Sequence, residues 1–231
     1  MGFTPLSIPT RYIAHLGIQP AVPFTGCQYK STQTQTVDET VTTWTSVAIG
    51  TPHPKRIVVL GIFQGVDGNM TSATVNGMEA YFKLNLNEFS IAAIQVPNNT
   101  LATITVSATS SVRKACSVYV GYPNNHMPLD SGTNSANAAT DANVADQKVQ
   151  ASGFLIYSGG QFGTIGTFTT TWNGADAVVE DTDAQLEAIS SYTAGHINIT
   201  GSTDLSDLNM AESTSGTKRL AVATWGPPRG Y

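Results

Sequence analysis

Two stretches far apart in the chain repeat one pattern. Val112–Pro123 reads VRKACSVYVGYP and Thr217–Pro228 reads TKRLAVATWGPP. Each opens on a basic pair (Arg113/Lys114, Lys218/Arg219), runs through short apolar residues, and closes on an aromatic residue (Tyr122, Trp225), glycine and proline. Thr74–Ala80, TVNGMEA, pairs in the same way with Thr171–Ala177, TWNGADA, and Ile57–Gly61, IVVLG, with Phe154–Ser158, FLIYS. The offset is about 97 residues for these earlier pairs and about 105 for the last, so the second copy carries roughly eight extra residues, which the polar stretch Gly201–Ser215 can absorb. A duplication of this kind sets the number of structural units before any strand is assigned.

The strand pattern fills both copies. Within Lys55–Phe63, the five residues Ile57–Gly61 are all apolar or Gly, β-branched at Ile57, Val58 and Val59 and bounded by Pro and Gly, which reads as a central strand covered on both faces. Asn76-Gly77 and Asn173-Gly174 lie between β-rich runs, the strongest short-range hairpin signal, because a type I′ turn needs positive φ at both positions. Phe89–Val96, Leu101–Ser107 and Ala115–Tyr122 complete the first copy; Thr167–Trp172, Ala175–Glu180, Leu186–Tyr192, Ile197–Thr200 and Leu220–Trp225 belong to the second. Gln185–Ser190 is open to a short helical turn instead. Strands spaced about 8–12 residues apart predict an all-β protein, a β-sandwich of jelly-roll or immunoglobulin-like type built from two similar halves. The units are expected at 44–125 and 126–231, the second led by a linking loop over Asn124–Ala145.

Residues 1–43 differ from the rest. Pro5, Pro9, Pro20 and Pro23 break any long helix, yet Phe3, Leu6, Ile8, Tyr12, Ile13, Leu16 and Ile18 supply more apolar surface than a solvated tail carries. The segment reads as an extended arm, lying across its own domain or docking on a neighbouring subunit. Gln28–Thr45 is Thr-rich and alternating, as in an exposed strand pair or stalk.

Charged residues are only 12% of the chain and the net charge is −5, which argues against nucleic acid as a partner. No apolar run is long enough for a transmembrane helix, and MGFTPLSIPTRY lacks the basic and apolar regions of a secretory signal, so synthesis in a cytoplasm is expected. Cys27 and Cys116 are then expected as free buried thiols. His15, His53, His126 and His196 show no metal-ligand spacing, and no nucleophile motif is present, so no enzyme, metal or cofactor is expected. In the acidic group Asp176, Glu180, Asp181, Asp183 and Glu187, with Asp204 and Asp207 beyond it, Glu180-Asp181-Thr182-Asp183 has the oxygen ligands for Ca²⁺, but a solvated loop between strands is the expected reading. Among the aromatics Trp44, Trp172, Tyr192, Trp225 and Tyr231, Trp172 beside its Asn-Gly turn, with Tyr192, is the candidate for stacking against a glycan.

Pro54–Phe63 (PKRIVVLGIF), TVNGMEA, SIAAIQVP at Ser90–Pro97, TITVS at Thr103–Ser107 and the closing RKACSVYVGY together resemble a group of accessory virion proteins of tailed bacteriophages. The similarity covers Trp44–Tyr122 and, more weakly, Gly153–Trp225; Asn76-Gly77 stands where paired glycines are usual. The resemblance implies a non-enzymatic part of a phage particle, made in the host bacterial cytoplasm. It would serve as head decoration, head fibre or tail component, as a homo-oligomer among other capsid or tail proteins, without membrane insertion. The alternative expectation is a β-sandwich module of a phage tail or fibre that binds a host surface glycan.

Overall fold

The computed structural model describes residues 24–66, 68–162, 167–174, 176–187, 190–201 and 205–228, apart from the side chains of 186, 187 and 213. It is all-β, a two-halved β-sandwich, and no helix occurs among the described residues. The first half holds β1 (Cys27–Ala48), β2 (Ile57–Gln64), β3 (Met70–Val75), β4 (Met78–Glu79), β5 (Phe82–Leu86), β6 (Phe89–Gln95) and β7 (Leu101–Gly121). The second holds β8 (Asp130–Lys148), β9 (Phe154–Phe162), β10 (Phe168–Trp172), β11 (Val179–Glu187), β12 (Ser190–Asn198) and β13 (Leu205–Trp225).

The duplication is visible strand by strand. The first sheet runs β4-β3-β7-β2-β6-β5 with β1 on the other edge of β7; the second runs β10-β13-β9-β12-β11 with β8 on the other edge of β13. All pairings are antiparallel. In both sheets one long strand pairs along one edge with the first strand of its half. Its other edge is divided, β3 then β2 along β7, and β10 then β9 along β13. Both Asn-Gly turns fasten to that long strand identically. Asn76 Oδ1 accepts from Thr103 N at 2.8 Å and Asn76 N donates to Thr103 O at 2.8 Å; Asn173 does the same with Asp207 at 2.7 and 3.2 Å. Asn76 and Gly77 have φ of 52° and 76°, the left-handed values that make Asn-Gly the sequence of choice there.

Each half encloses its own core. Val58, Leu60 and Ile62 of β2 face inward with Val118 and Val120 of β7; Leu155 and Tyr157 of β9 do so with Leu220 and Val222 of β13. The alternate residues of the same strands face the other half. Ile57, Val59, Ile91, Ala93 and Tyr119 meet Phe154, Ile156, Ala221, Ala223 and Trp225, and the layer continues through Phe63, Phe89, Tyr192 and Ala194. β2, β6, β9 and β12 are therefore covered on both faces, which for β2 is what the apolar run at Ile57–Gly61 predicted. Aromatic rings enter glycine notches reciprocally: a Cβ on Gly121 would lie 2.6 Å from the Phe154 ring, and one on Gly160 would lie 2.6 Å from Phe89. Polar contacts close the joint. The Tyr192 hydroxyl lies 2.8 Å from Gly61 O and 2.9 Å from Ser117 Oγ, and Asn198 exchanges two hydrogen bonds with the Cys27 backbone. Glu88 forms an ion pair with Arg219, whose guanidinium sits 5.5 Å from the Phe162 ring centroid.

The long strands change partner at an irregularity, and a buried lysine sits there in each half. Lys114 lies opposite Gln64 as Lys218 lies opposite Gln161, and all four are fully buried. The Lys114 ammonium donates to Glu39 O and Val112 O; that of Lys218 donates to Ala139 O, Thr214 O and Gln161 Oε1, with Glu212 at 3.4 Å. The ammonium thus satisfies carbonyls that register shifts in β1–β7 and β8–β13 leave off the ladder.

Several boundaries differ from the sequence reading. Residues 27–43 are not part of an arm: they form most of β1, paired along β7. The expected loop over 124–145 contains most of β8, because β13 offers it a partner edge from Leu205 to Thr224. Gln185 lies in β11, not in a helical turn. The basic pairs align one residue out of the motif match, Lys114 with Lys218. Much of the extra length falls in β11, nine residues against five in β5, rather than only in 201–215.

Candidate functional site

On the outer face of the second half, β8, β13 and β10 run side by side with alternating burial. Ala142, Val144, Leu208, Met210 and Thr170 point to the core, which turns Asp141, Asn143, Asp207, Asn209, Thr171 and Asn173 outward. Asn209 stands opposite Asn143 on one side and Thr171 on the other, so three polar side chains cross three strands in one row. These six residues and the edge of Trp172 line a cleft of about 290 Å³. Asp207 is held in place: its Oδ1 accepts from Asp146 N at 2.9 Å, where Asp146 takes a positive φ of 56° at the shift in register. Two polar atoms of the cleft residues are buried without a hydrogen-bond partner, Asn209 Oδ1 and the Trp172 indole nitrogen. Neither atom exposes surface to the cleft, so the groups open to an occupant are the outward amides, carboxylates and hydroxyl. The lining carries two carboxylates and no Lys or Arg.

The first half has the same backbone at this place and a different surface. Thr105 stands opposite Thr43 and Thr74, and the Thr43 and Thr105 hydroxyls lie 3.0 Å apart. Val75, fully buried, occupies the position of Trp172. The scaffold is shared, with Asn76 in the place of Asn173, while the acids and the amides of Asn143 and Asn209 belong to the second half alone.

The residues expected to stack on a glycan are not brought together. Trp172 is half-buried, packed on the inner core of its half, with only its edge at the cleft. Its nitrogen edge lies under the turn, where a Cβ on Gly174 would come within 2.1 Å. Tyr192 needs correction: it is fully buried in the joint between halves, where its hydroxyl is held by Gly61 and Ser117, and no face is open for stacking. Trp225 is likewise buried, its nitrogen donating to His126 O, and Trp44 packs against the first core. Phe3, Leu6, Ile8, Tyr12, Ile13, Leu16 and Ile18 lie outside the described residues, as do Asp204 and Tyr231.

The acidic group is dispersed among separate partners. Asp176 accepts from Thr200 N, Glu180 from Thr170 N, and Asp181 pairs with His196 Nδ1 at 2.6 Å. Burial raises the pKa of Asp183. Among the described residues no three His, Cys, Asp or Glu side chains converge as metal ligands. Cys27 and Cys116 are free and buried, and burial raises both thiols, Cys27 further through the nearby Asp181 charge. The cleft escaped sequence reading because its residues come from three segments, 141–143, 171–173 and 207–209; their one shared sign is the alternation of polar with apolar residues. No protein family, curated protein or solved structure matches the chain.

Proposed function

We propose that the chain is a non-enzymatic structural component of a bacteriophage particle, a head decoration, head fibre or tail accessory protein, mounted through its N-terminal residues. The virion assignment rests on the sequence resemblance of Trp44–Tyr122. The observation that carries a structural role is the joint between the halves, where four strands are covered on both faces and rings of each half fill notches in the other. Close-packed interfaces of this kind resist deformation, so the body acts as a rigid block that projects whatever it holds. Oligomerisation follows the symmetry of the mounting point.

Particles assembled with a chain that begins at Phe24 test the reading. The truncated protein is expected to fold, since Phe24 still packs on Tyr122 with ring centroids 4.9 Å apart, and to be missing from purified particles that carry the full chain. Normal incorporation of the truncated chain overturns mounting by residues 1–23. Absence of the full-length chain from particles overturns the virion reading.

A further inference from the structure

We infer that the cleft between Asp141, Asn143, Asp207, Asn209, Thr171 and Trp172 is a binding site for a single ring of a neutral saccharide, reached from the outer face of the second half. This does not depend on the virion reading.

Three observations select that ligand class. Every polar group in the row is an amide, carboxylate or hydroxyl, the short planar and hydroxyl groups that exchange hydrogen bonds with neighbouring sugar hydroxyls. Their strands fix the side-chain spacing, because Asn143, Asn209 and Thr171 are in register across three paired strands. The size of about 290 Å³ sits at the lower end of small-molecule pockets and admits one ring, not a chain.

Charge narrows the class. Asp141 and Asp207 face the cleft without a basic residue in its lining, so a sugar carrying a carboxylate or sulfate is repelled. A cation is the competing occupant. Only two carboxylates line the cleft, fewer acidic ligands than a cation cage usually gathers, and Asp207 Oδ1 already accepts from Asp146 N. The Thr43–Thr105–Thr74 row of the first half supplies an internal control: the same backbone, with neither acid nor amide in the row.

The test follows the Trp172 indole N–H of the full chain in a proton–nitrogen correlation spectrum, where the chain has three tryptophans to distinguish, assigned by Trp172→Phe. Methyl α-glucoside, α-galactoside and α-mannoside are titrated to tens of millimolar, the range in which one ring of about a dozen heavy atoms binds. At least one neutral glycoside is expected to move the Trp172 signal saturably. Asn143→Ala and Asp141→Ala, both at exposed positions, are expected to weaken that binding at least about tenfold while leaving the unfolding midpoint unchanged. Three outcomes overturn the inference: no response to any neutral glycoside, a response only to calcium chloride or N-acetylneuraminate, or a glycoside response that survives both substitutions.

Discussion

Replacing Lys218 by Met should cost far more stability than replacing Lys114, although both lysines occupy the same place in their halves. Lys218 and Glu212 are both fully buried at the side chain, 3.4 Å apart. Removing one member of a buried ion pair leaves the other charge uncompensated, which costs about 3–5 kcal/mol. Lys114 is held by the carbonyls of Glu39 and Val112, and its burial lowers its pKa against the opposing pull of Glu39 and Asp38. Lys114→Met therefore removes a desolvated charge and orphans main-chain acceptors, a loss of about 1–3 kcal/mol. The pH dependence gives the sharper signature. Burial raises the Glu212 pKa, opposed by Lys218. A carboxyl whose folded pKa lies above its unfolded value favours the folded state at acid pH, and that contribution disappears as pH rises through the folded pKa. Without Lys218 the opposing attraction is gone, so the deficit of Lys218→Met should fall near the ordinary carboxyl pKa of about 4 to what its orphaned acceptors Ala139 O and Thr214 O cost, as for Lys114→Met, and grow toward neutral pH. Adding Glu212→Gln should remove the pH-dependent part of the loss, because a neutral amide needs no counter-charge. Urea unfolding of the wild type, both single variants and the double variant at acid and neutral pH measures all of this. Equal deficits at both pH values, or no rescue by Glu212→Gln, would refute the argument.

Two further outcomes follow from local geometry. Gly77→Ala meets open space and pays only for its positive φ, about 1 kcal/mol, whereas Gly174→Ala drives a methyl into the Trp172 indole and should cost about 1–3 kcal/mol with a shift in tryptophan fluorescence. Ellman's reagent should label neither Cys27 nor Cys116 in the native protein and both in urea; reaction without denaturant would show that the joint opens if at Cys27, and that the first core opens if at Cys116.

The parts of the fold legible in the sequence are those in which local and global preferences agree. Ile57–Phe63 is β-branched, apolar and flanked by breakers, and it became a strand covered on both sides; both Asn-Gly turns fasten to the long strand of their half, and Asn76-Gly77 closes the expected hairpin of β3 with β4, whereas β10 before Asn173-Gly174 pairs with β13 and not with β11. β8 was illegible because DSGTNSANAATDANVADQK is poor in strand-forming residues, and only the waiting edge of β13 makes it a strand. The motif match misaligned the lysines by one because Gly121 and Gly226 line up so readily, while register pairs Gly121 and Trp225 with equivalent partners, Ile57 and Phe154. Burial of Tyr192 could not be read from SSYTAGHIN, since a strand covered on both faces has no polar alternation to show which side an aromatic takes. The cleft depended on three strands meeting, and nothing within any one of them marks it.

The joint also bears on ancestry. A polypeptide ending near Pro123 would present Ile57, Val59, Ile91 and Tyr119 to water, and its natural remedy would be to embrace a twin. Fusion of two such genes makes the embrace permanent and frees the partners from being identical. One lobe could keep its threonine row while the other acquired acids and amides, an asymmetry that no pair of identical subunits could reach.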